Sequence, residues 1–279
     1  MKRGLAIALA FAFPLTSGTA FAPAAIAESS PGFAEGLDAW ERLDFGEAKR
    51  IWRDLAEEGD ARARFALGTL HARGQGTPRN RERARELWLE AAEQGHEGAR
   101  HNLALTYLGD ATRRTDGAPE RAVDLLEKAV RNGHAPSALA LGRLLISGIG
   151  IPMDRVRGAR LVANAAANDL VEAHYTLGRL RRDGIGLPLD DAAAARSFRA
   201  AAEAGHGRAM LALARMLARG EGVERDRGEA LKLARSAREA HTTGAAGLVA
   251  ALETPAVSTA AGMGPYFQAG TGRPPASAP

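Results

Sequence analysis

The sequence predicts an all-α protein, a solenoid of stacked helix pairs, and three observations lead there. The first is repetition. Leu67, Leu103, Leu141, Leu177, Leu213 and Val249 hold one position at steps of 36, 38, 36, 36 and 36 residues. Self-similarity at such a step marks a solenoid. The second is periodicity. Ala173, Leu177 and Leu180 fall at i, i+4, i+7, and Ala194, Phe198, Ala201 and Ala202 at i, i+4, i+7, i+8. Each set is one stripe of a 3.6-residue helix, so every repeat holds two helices. The third is punctuation. Gly-x-Gly lies between the stripes at Gly74/Gly76, Gly148/Gly150, Gly184/Gly186 and Gly220/Gly222. The first glycine suits the positive-φ cap that ends a helix. Pro78, Pro152 or Pro188 follows, and Asn80, Asp154, Asp190 and Asp226 are placed to cap the second helix. Glu229, three residues beyond Asp226, completes the pattern of a capping box.

In chain order, residues 1–27 read as an export signal. Lys2 and Arg3 precede an apolar run too short to span a bilayer, and Ala25-Ile26-Ala27 offers a cleavage site. The other small-residue site, Ala20-Phe21-Ala22, is followed by Pro23, which blocks cleavage. The chain has no cysteine, so a lipid anchor there is excluded, and an exported product must be stable without disulfides. The expected location is outside the cytoplasm, periplasmic or secreted, with no transmembrane segment after cleavage. Removing Lys2 and Arg3 lowers the formal net charge from +4 to +2. With acids interspersed throughout, that balance gives no nucleic-acid-binding pattern.

After a linker at 28–32, residues 33–60 form a short helix pair around the turn Leu43-Asp44-Phe45-Gly46. It lacks Gly-x-Gly, as an atypical capping unit would. Five full units occupy 61–242, and residues 243–253 read as one more first helix without its partner. The tail 254–279, rich in Ala, Gly, Pro, Ser and Thr, has too little apolar content to fold alone. Its Tyr266 and Phe267 are either an incidental pair or a short anchor.

Within the frame, small residues follow the repeated leucine at Gly68, Ala104, Gly142, Gly178, Ala214 and Ala250. Others precede it by four at Ala63, Ala99, Ser137, Ala173, Ala209 and Ala245. The second helix carries one bulky residue per unit: Trp52, Trp88, Leu126, Val162 and Phe198, with Ala234 in the last. Small residues allow close backbone approach, and the bulky one is expected to fill the gap between layers.

This pattern, A-x-x-x-L-G-x-L followed by G-x-G, an Asn or Asp cap and A-x-x-[WF]-x-x-A-A, resembles the Sel-one-like repeat. That family is a relative of the tetratricopeptide repeat with a longer inter-helix loop. The resemblance spans roughly 34–253. It implies a right-handed α-solenoid used mainly as a scaffold for binding, with some exported relatives acting in cell-envelope regulation and signalling. Two units depart from the pattern. Unit 97–134 has two extra residues in its connection and lacks Gly-x-Gly, and unit 135–170 has Asp169 where the others close with glycine.

The sharpest candidate site is an arginine column. Arg143, Arg179 and Arg215 sit two residues after the repeated leucine in consecutive units, with Arg181, Arg182 and Arg219 nearby. Stacked helices lie about 8–10 Å apart, so the guanidinium groups form a ladder suited to carboxylates or phosphates. The alternative is a half-exposed position that tolerates arginine, paired with acids of the next unit. Arg113 and Arg114, on the irregular connection, are a further candidate contact, since solenoid insertions often lie on a binding face.

His96, His134 and His206 each follow a unit-closing residue, one per layer. They are expected as turn residues rather than ligands converging on one metal. The Gly-x-Gly loops follow no strand and precede no Gly-Lys-Ser/Thr, so they are not phosphate cradles. No nucleophile motif is present. The resemblance includes a cysteine-rich branch with β-lactam hydrolase activity, which a chain without cysteine does not match. The sequence therefore predicts a non-enzymatic scaffold without cofactor or metal, binding a protein partner in the cell envelope. The alternative is direct binding of an anionic envelope glycan through the arginine ladder.

Overall fold

The computed structural model describes residues 31–111 and 117–254, and among these every regular element is an α-helix. The expected export signal, Arg113 and Arg114, and Tyr266 and Phe267 lie outside the described residues. Helices α1 (Pro31–Glu41) and α2 (Phe45–Glu57) open the array. Then come the pairs α3 (Ala61–Arg73) and α4 (Arg81–Glu93), α5 (Glu97–Ala111) and α6 (Ala118–Arg131), and α7 (Ala135–Ser147) and α8 (Arg155–Ala167). They continue with α9 (Val171–Asp183) and α10 (Asp191–Glu203), and α11 (Gly207–Arg219) and α12 (Arg227–Glu239), before α13 (Ala245–Glu253). Each helix packs on its neighbours in the chain, which makes the molecule a helical solenoid.

The caps are those the side chains dictate. Asn80, Asp154, Asp190 and Asp226 each accept a hydrogen bond from the backbone N–H three residues on, satisfying a donor that the first helical turn leaves free. The capping box at Asp226 forms only in one direction. Glu229 N donates to Asp226 Oδ1 at 2.8 Å, but the Asp226 N–H goes to Leu217 O at 3.0 Å. The Glu229 carboxylate instead accepts from Arg199 at 3.4 Å.

The bulky residues of the second helices share core clusters with the next unit, Phe198 with Leu213 and Trp88 with Leu103, and they also seat on the small residue of their own first helix. A Cβ at Gly178 would lie 2.7 Å from the Phe198 ring, and one at Gly68 2.8 Å from the Trp88 indole. Phe198 is fully buried in this way, a contribution of about 1.5–3 kcal/mol. Unit 135–170 uses a variant of the same fit. Gly142 and Gly158 face each other, and a Cβ on either would come within 2.7 or 2.6 Å of the other's carbonyl oxygen. Small residues on both helices bring the two backbones into contact.

The second glycine of Gly-x-Gly has a different role from the first. Gly186 lies on the start of α8, where an added Cβ would be 2.1 Å from Arg155 O. Gly76, Gly150 and Gly222 lie against Phe45, Pro119 and Asp191, the corresponding starts of α2, α6 and α10. Each loop thus covers the N-terminus of the preceding second helix. Among the described residues no further Gly-x-Gly loop follows α12, and there Arg227 takes over. Its Nη2 donates to Leu252 O at 2.7 Å, tying the end of α13 to the start of α12.

Candidate functional site

The first helices α7, α9 and α11 carry the arginine column. The structure separates its members. Arg143 reaches forward from α7 to α9, where its Nη2 donates to Thr176 Oγ1 at 2.7 Å and to the Glu172 carboxylate. Its charge is engaged by the next repeat. Arg181 turns away from the column and donates to Ser197 Oγ at 2.9 Å and Ala193 O at 3.3 Å on α10. Arg182 pairs with Asp183 at 2.8 Å, and Arg219 with Glu221 at 3.3 Å. Arg179 and Arg215 remain exposed, and neither has a hydrogen bond or ion pair among the described residues. Of the three arginines in the column, Arg179 and Arg215 remain as unengaged guanidinium groups on adjacent first helices.

Beside them lies a network that joins three repeats. Glu172, in the first turn of α9, accepts from Arg143 behind it and from His206 Nε2, 2.8 Å ahead. His206 is the N-cap of α11, and its Nδ1 accepts from Ala209 N at 3.1 Å. Nδ1 therefore holds a free lone pair and the ring proton sits on Nε2, the atom that donates to Glu172. Tyr175 stacks on the same imidazole, ring centroids 4.6 Å apart. Burial would raise the Glu172 carboxyl, but the hydrogen bonds from His206 and Arg143 outweigh it and hold the pKa at about 2.

His96 and His134 are also helix caps. His96 Nδ1 accepts from Ala99 N at 3.1 Å, and His134 Nδ1 from Ser137 N at 3.3 Å. Ser137, fully buried in place of the alanine used by other units, bridges two imidazoles. Its Oγ lies 2.8 Å from His134 Nδ1 and 3.2 Å from His101 Nδ1. Both contacts are satisfied when the hydroxyl donates to His134 and accepts from His101 Nδ1–H. Burial, reinforced by the proximity of His134, pushes His96 and His101 down to about 4. Burial lowers His134 as well, against an opposing pull from Glu97. Among the described residues no group of three or more His, Asp or Glu side chains is placed to hold a metal ion. Nor is any helix there long and apolar enough to cross a membrane.

The Sel1 repeat family model matches residues 61–96, 98–134, 171–206 and 207–241, just over half of the chain. The chain belongs to the Sel1 repeat family. Solved structures similar to it include a Sel1 repeat protein from Oxalobacter formigenes, 24% identical with a TM-score of 0.69, covering 80% of this chain and 88% of that one. Another is c5321, a protective antigen present in uropathogenic Escherichia coli strains and displaying an SLR fold. It is 25% identical with a TM-score of 0.64, over 78% of this chain and 48% of that one, so this chain spans about half its length. A third is immunity protein Pa5087 from Pseudomonas aeruginosa, 16% identical with a TM-score of 0.51, over 80% and 83% of the two chains. No curated protein matches the chain. Sel1 repeat proteins are generally protein-interaction scaffolds.

The unit that the Sel1 model passes over, 135–170, is the one with the Gly142–Gly158 contact. Asp169 there stands at φ 56 where Gly95, Gly133 and Gly205 close three of the matched units; His241, at φ 52, closes the fourth. Sequence reasoning found the column, allowed for pairing with acids of the next unit and placed His206 as a turn residue, but it did not name Glu172 and Thr176, which engage Arg143, or Tyr175. One signal was present. Glu172 is an acid where the other full units have Arg62, Gly98, Pro136 and Arg208, one unit after Arg143.

Proposed function

We propose that the protein is an exported, non-enzymatic scaffold whose first-helix face over α9 and α11 docks an acidic segment of a partner protein in the cell envelope. The observation that carries this reading is the pair Arg179 and Arg215. Both are exposed at equivalent positions of adjacent repeats, while the neighbouring Arg143 is committed to Glu172 and Thr176. Two guanidinium groups at equivalent positions of adjacent repeats suit carboxylates spaced along an extended chain. The export part of the proposal is supported by the charged start, the apolar run and Ala25-Ile26-Ala27.

The test compares chemical crosslinking in intact cells for the wild type and the Arg179→Ala/Arg215→Ala variant. One envelope protein captured by the wild type and lost from the variant is expected. Retention on acidic polysaccharide with no protein captured by either form would replace the protein partner with a glycan.

A further inference from the structure

Exposed apolar side chains gather where the loops of two adjacent repeats meet. Ile149, Met153, Val156 and Leu189 are each 51% to 66% exposed. Met153 and Leu189 hold the same repeat position, 36 residues apart. Both fold back over the glycine that ends the first helix of their unit. A Cβ at Gly148 would lie 2.8 Å from Met153 Cβ, and one at Gly184 3.6 Å from Leu189 Cβ. The two loops are joined, because Gly186 of the second seats on Arg155 at the start of α8. Met153 comes just before that point and Val156 just after it. In the first and last full units the same position is polar, held by Arg79 and Arg225. Single exposed apolar residues are ordinary, but a contiguous group of them marks an interaction surface.

Charge follows the same repeat with opposite sign. Arg155 stands two residues after Met153, and Asp191 two after Leu189, again 36 residues apart. Arg155 is exposed and Asp191 half-buried, and neither has an ion pair among the described residues. Adjacent repeats thus present one apolar group each beside charges of opposite sign. A two-fold rotation that exchanges the two repeats sets apolar on apolar and positive on negative.

We infer that this loop edge is a self-association surface whose occupant is a second copy of this chain in an antiparallel, two-fold contact. Unit 135–170 of each copy faces unit 171–206 of the other. Met153 meets Leu189 of the second copy, Arg155 meets its Asp191, and symmetry makes both contacts twice. A contact that set each unit on its own equivalent would put Arg155 against Arg155 and Asp191 against Asp191. Charge therefore selects the exchanged register. A patch of this kind is on the order of 300–600 Å², below the roughly 800 Å² that each partner of a standard interface buries. The dimer is accordingly reversible, with a Kd on the order of 10 µM. The contact stops at the first turn of α8, short of Arg160. It does not use Arg179 or Arg215, so it stands apart from the proposed docking face.

The test is sedimentation velocity of the full chain over a concentration series. The wild type should pass from monomer to dimer across about 1–100 µM. Leu189→Gln, at an exposed site, should weaken the dimer at least about tenfold, because each dimer loses two leucine contacts. Arg155→Asp and Asp191→Arg should each weaken it about tenfold, since each sets like charges together twice. An equimolar mixture of these two variants should recover association close to that of the wild type. Their heterodimer again pairs opposite charges at both contacts, which a loss of folding in either variant could not produce. A wild type that stays monomeric throughout, association unmoved by all three substitutions, or a mixture as weak as its parents would overturn the inference. Arg179→Ala/Arg215→Ala should leave the dimer unchanged, so the two proposals fail separately.

Discussion

His206 Nε2 donates to Glu172 Oε2 across 2.8 Å, tying the first turn of α9 to the cap of α11. In a solenoid each repeat is stabilised by its neighbours, and this bond, with Arg143 on the other carboxylate oxygen, spans three of them. Glu172→Ala removes both links and leaves Arg143 with Thr176 alone. The Glu172 side chain is 41% exposed, so solvent screens part of the interaction. The expected loss is about 1–2 kcal/mol, read as a lower urea midpoint with unchanged slope.

Acid should weaken the fold in two stages. The native pKa values of His96 and His101 are depressed to about 4 from 6.5, and that of His134 is also lowered. Between those values the unfolded chain binds protons that the folded chain does not, so stability falls as pH drops from about 6.5 towards 4. The depressions at His96 and His101 are on the order of 3 kcal/mol each. Glu172, held at about 2, adds a further loss as pH falls from about 4.5 towards 2. His101→Asn removes one titrating group and should flatten the first stage in urea titrations at stepped pH. A slope identical to the wild type would contradict the assignment.

The frame was legible in the sequence because leucine spacing, glycine pairs and Asp or Asn caps all encode local geometry. Asn80, Asp154, Asp190 and Asp226 could be placed as caps from neighbouring residues alone. The state of the arginine column could not. Arg143 and Arg179 occupy the same repeat position, and only the identity of the residues facing them from the next helix separates a committed side chain from an available one. Histidine caps were hidden for another reason. A His N-cap needs a particular ring tautomer and orientation, and nothing local in the sequence shows either. The second glycine of each loop was visible as a residue, but its cause lies 31 residues earlier, in the distance from Gly186 to Arg155.

Two glycines at similar φ should therefore respond differently to alanine. Gly205, at φ +84, has open space around the added methyl group, whereas Gly186, at φ +69, would drive it into Arg155 O. Gly205→Ala should cost about 1–2 kcal/mol from backbone strain alone. Gly186→Ala should cost clearly more, because α8 and the loop must separate. Equal urea midpoints for the two variants would mean that the loop does not seat on α8 as described.

Asp169 offers the reverse experiment. It holds φ 56 where Gly95, Gly133 and Gly205 close other units. Asp169→Gly relieves that strain and should stabilise the protein by up to about 1 kcal/mol, seen as a small rise in Tm.

The most direct test of the scaffold reading places a photo-crosslinking amino acid at position 179 or 215, and at position 160 on the exposed side of α8 as a comparison, in cells that make the full chain. The account predicts one discrete protein adduct at both 179 and 215 and none at 160, with the adduct weakened when the remaining arginine of the pair is changed to alanine. Identical adducts at all three positions, or none at 179 and 215, would contradict a docking face on α9 and α11.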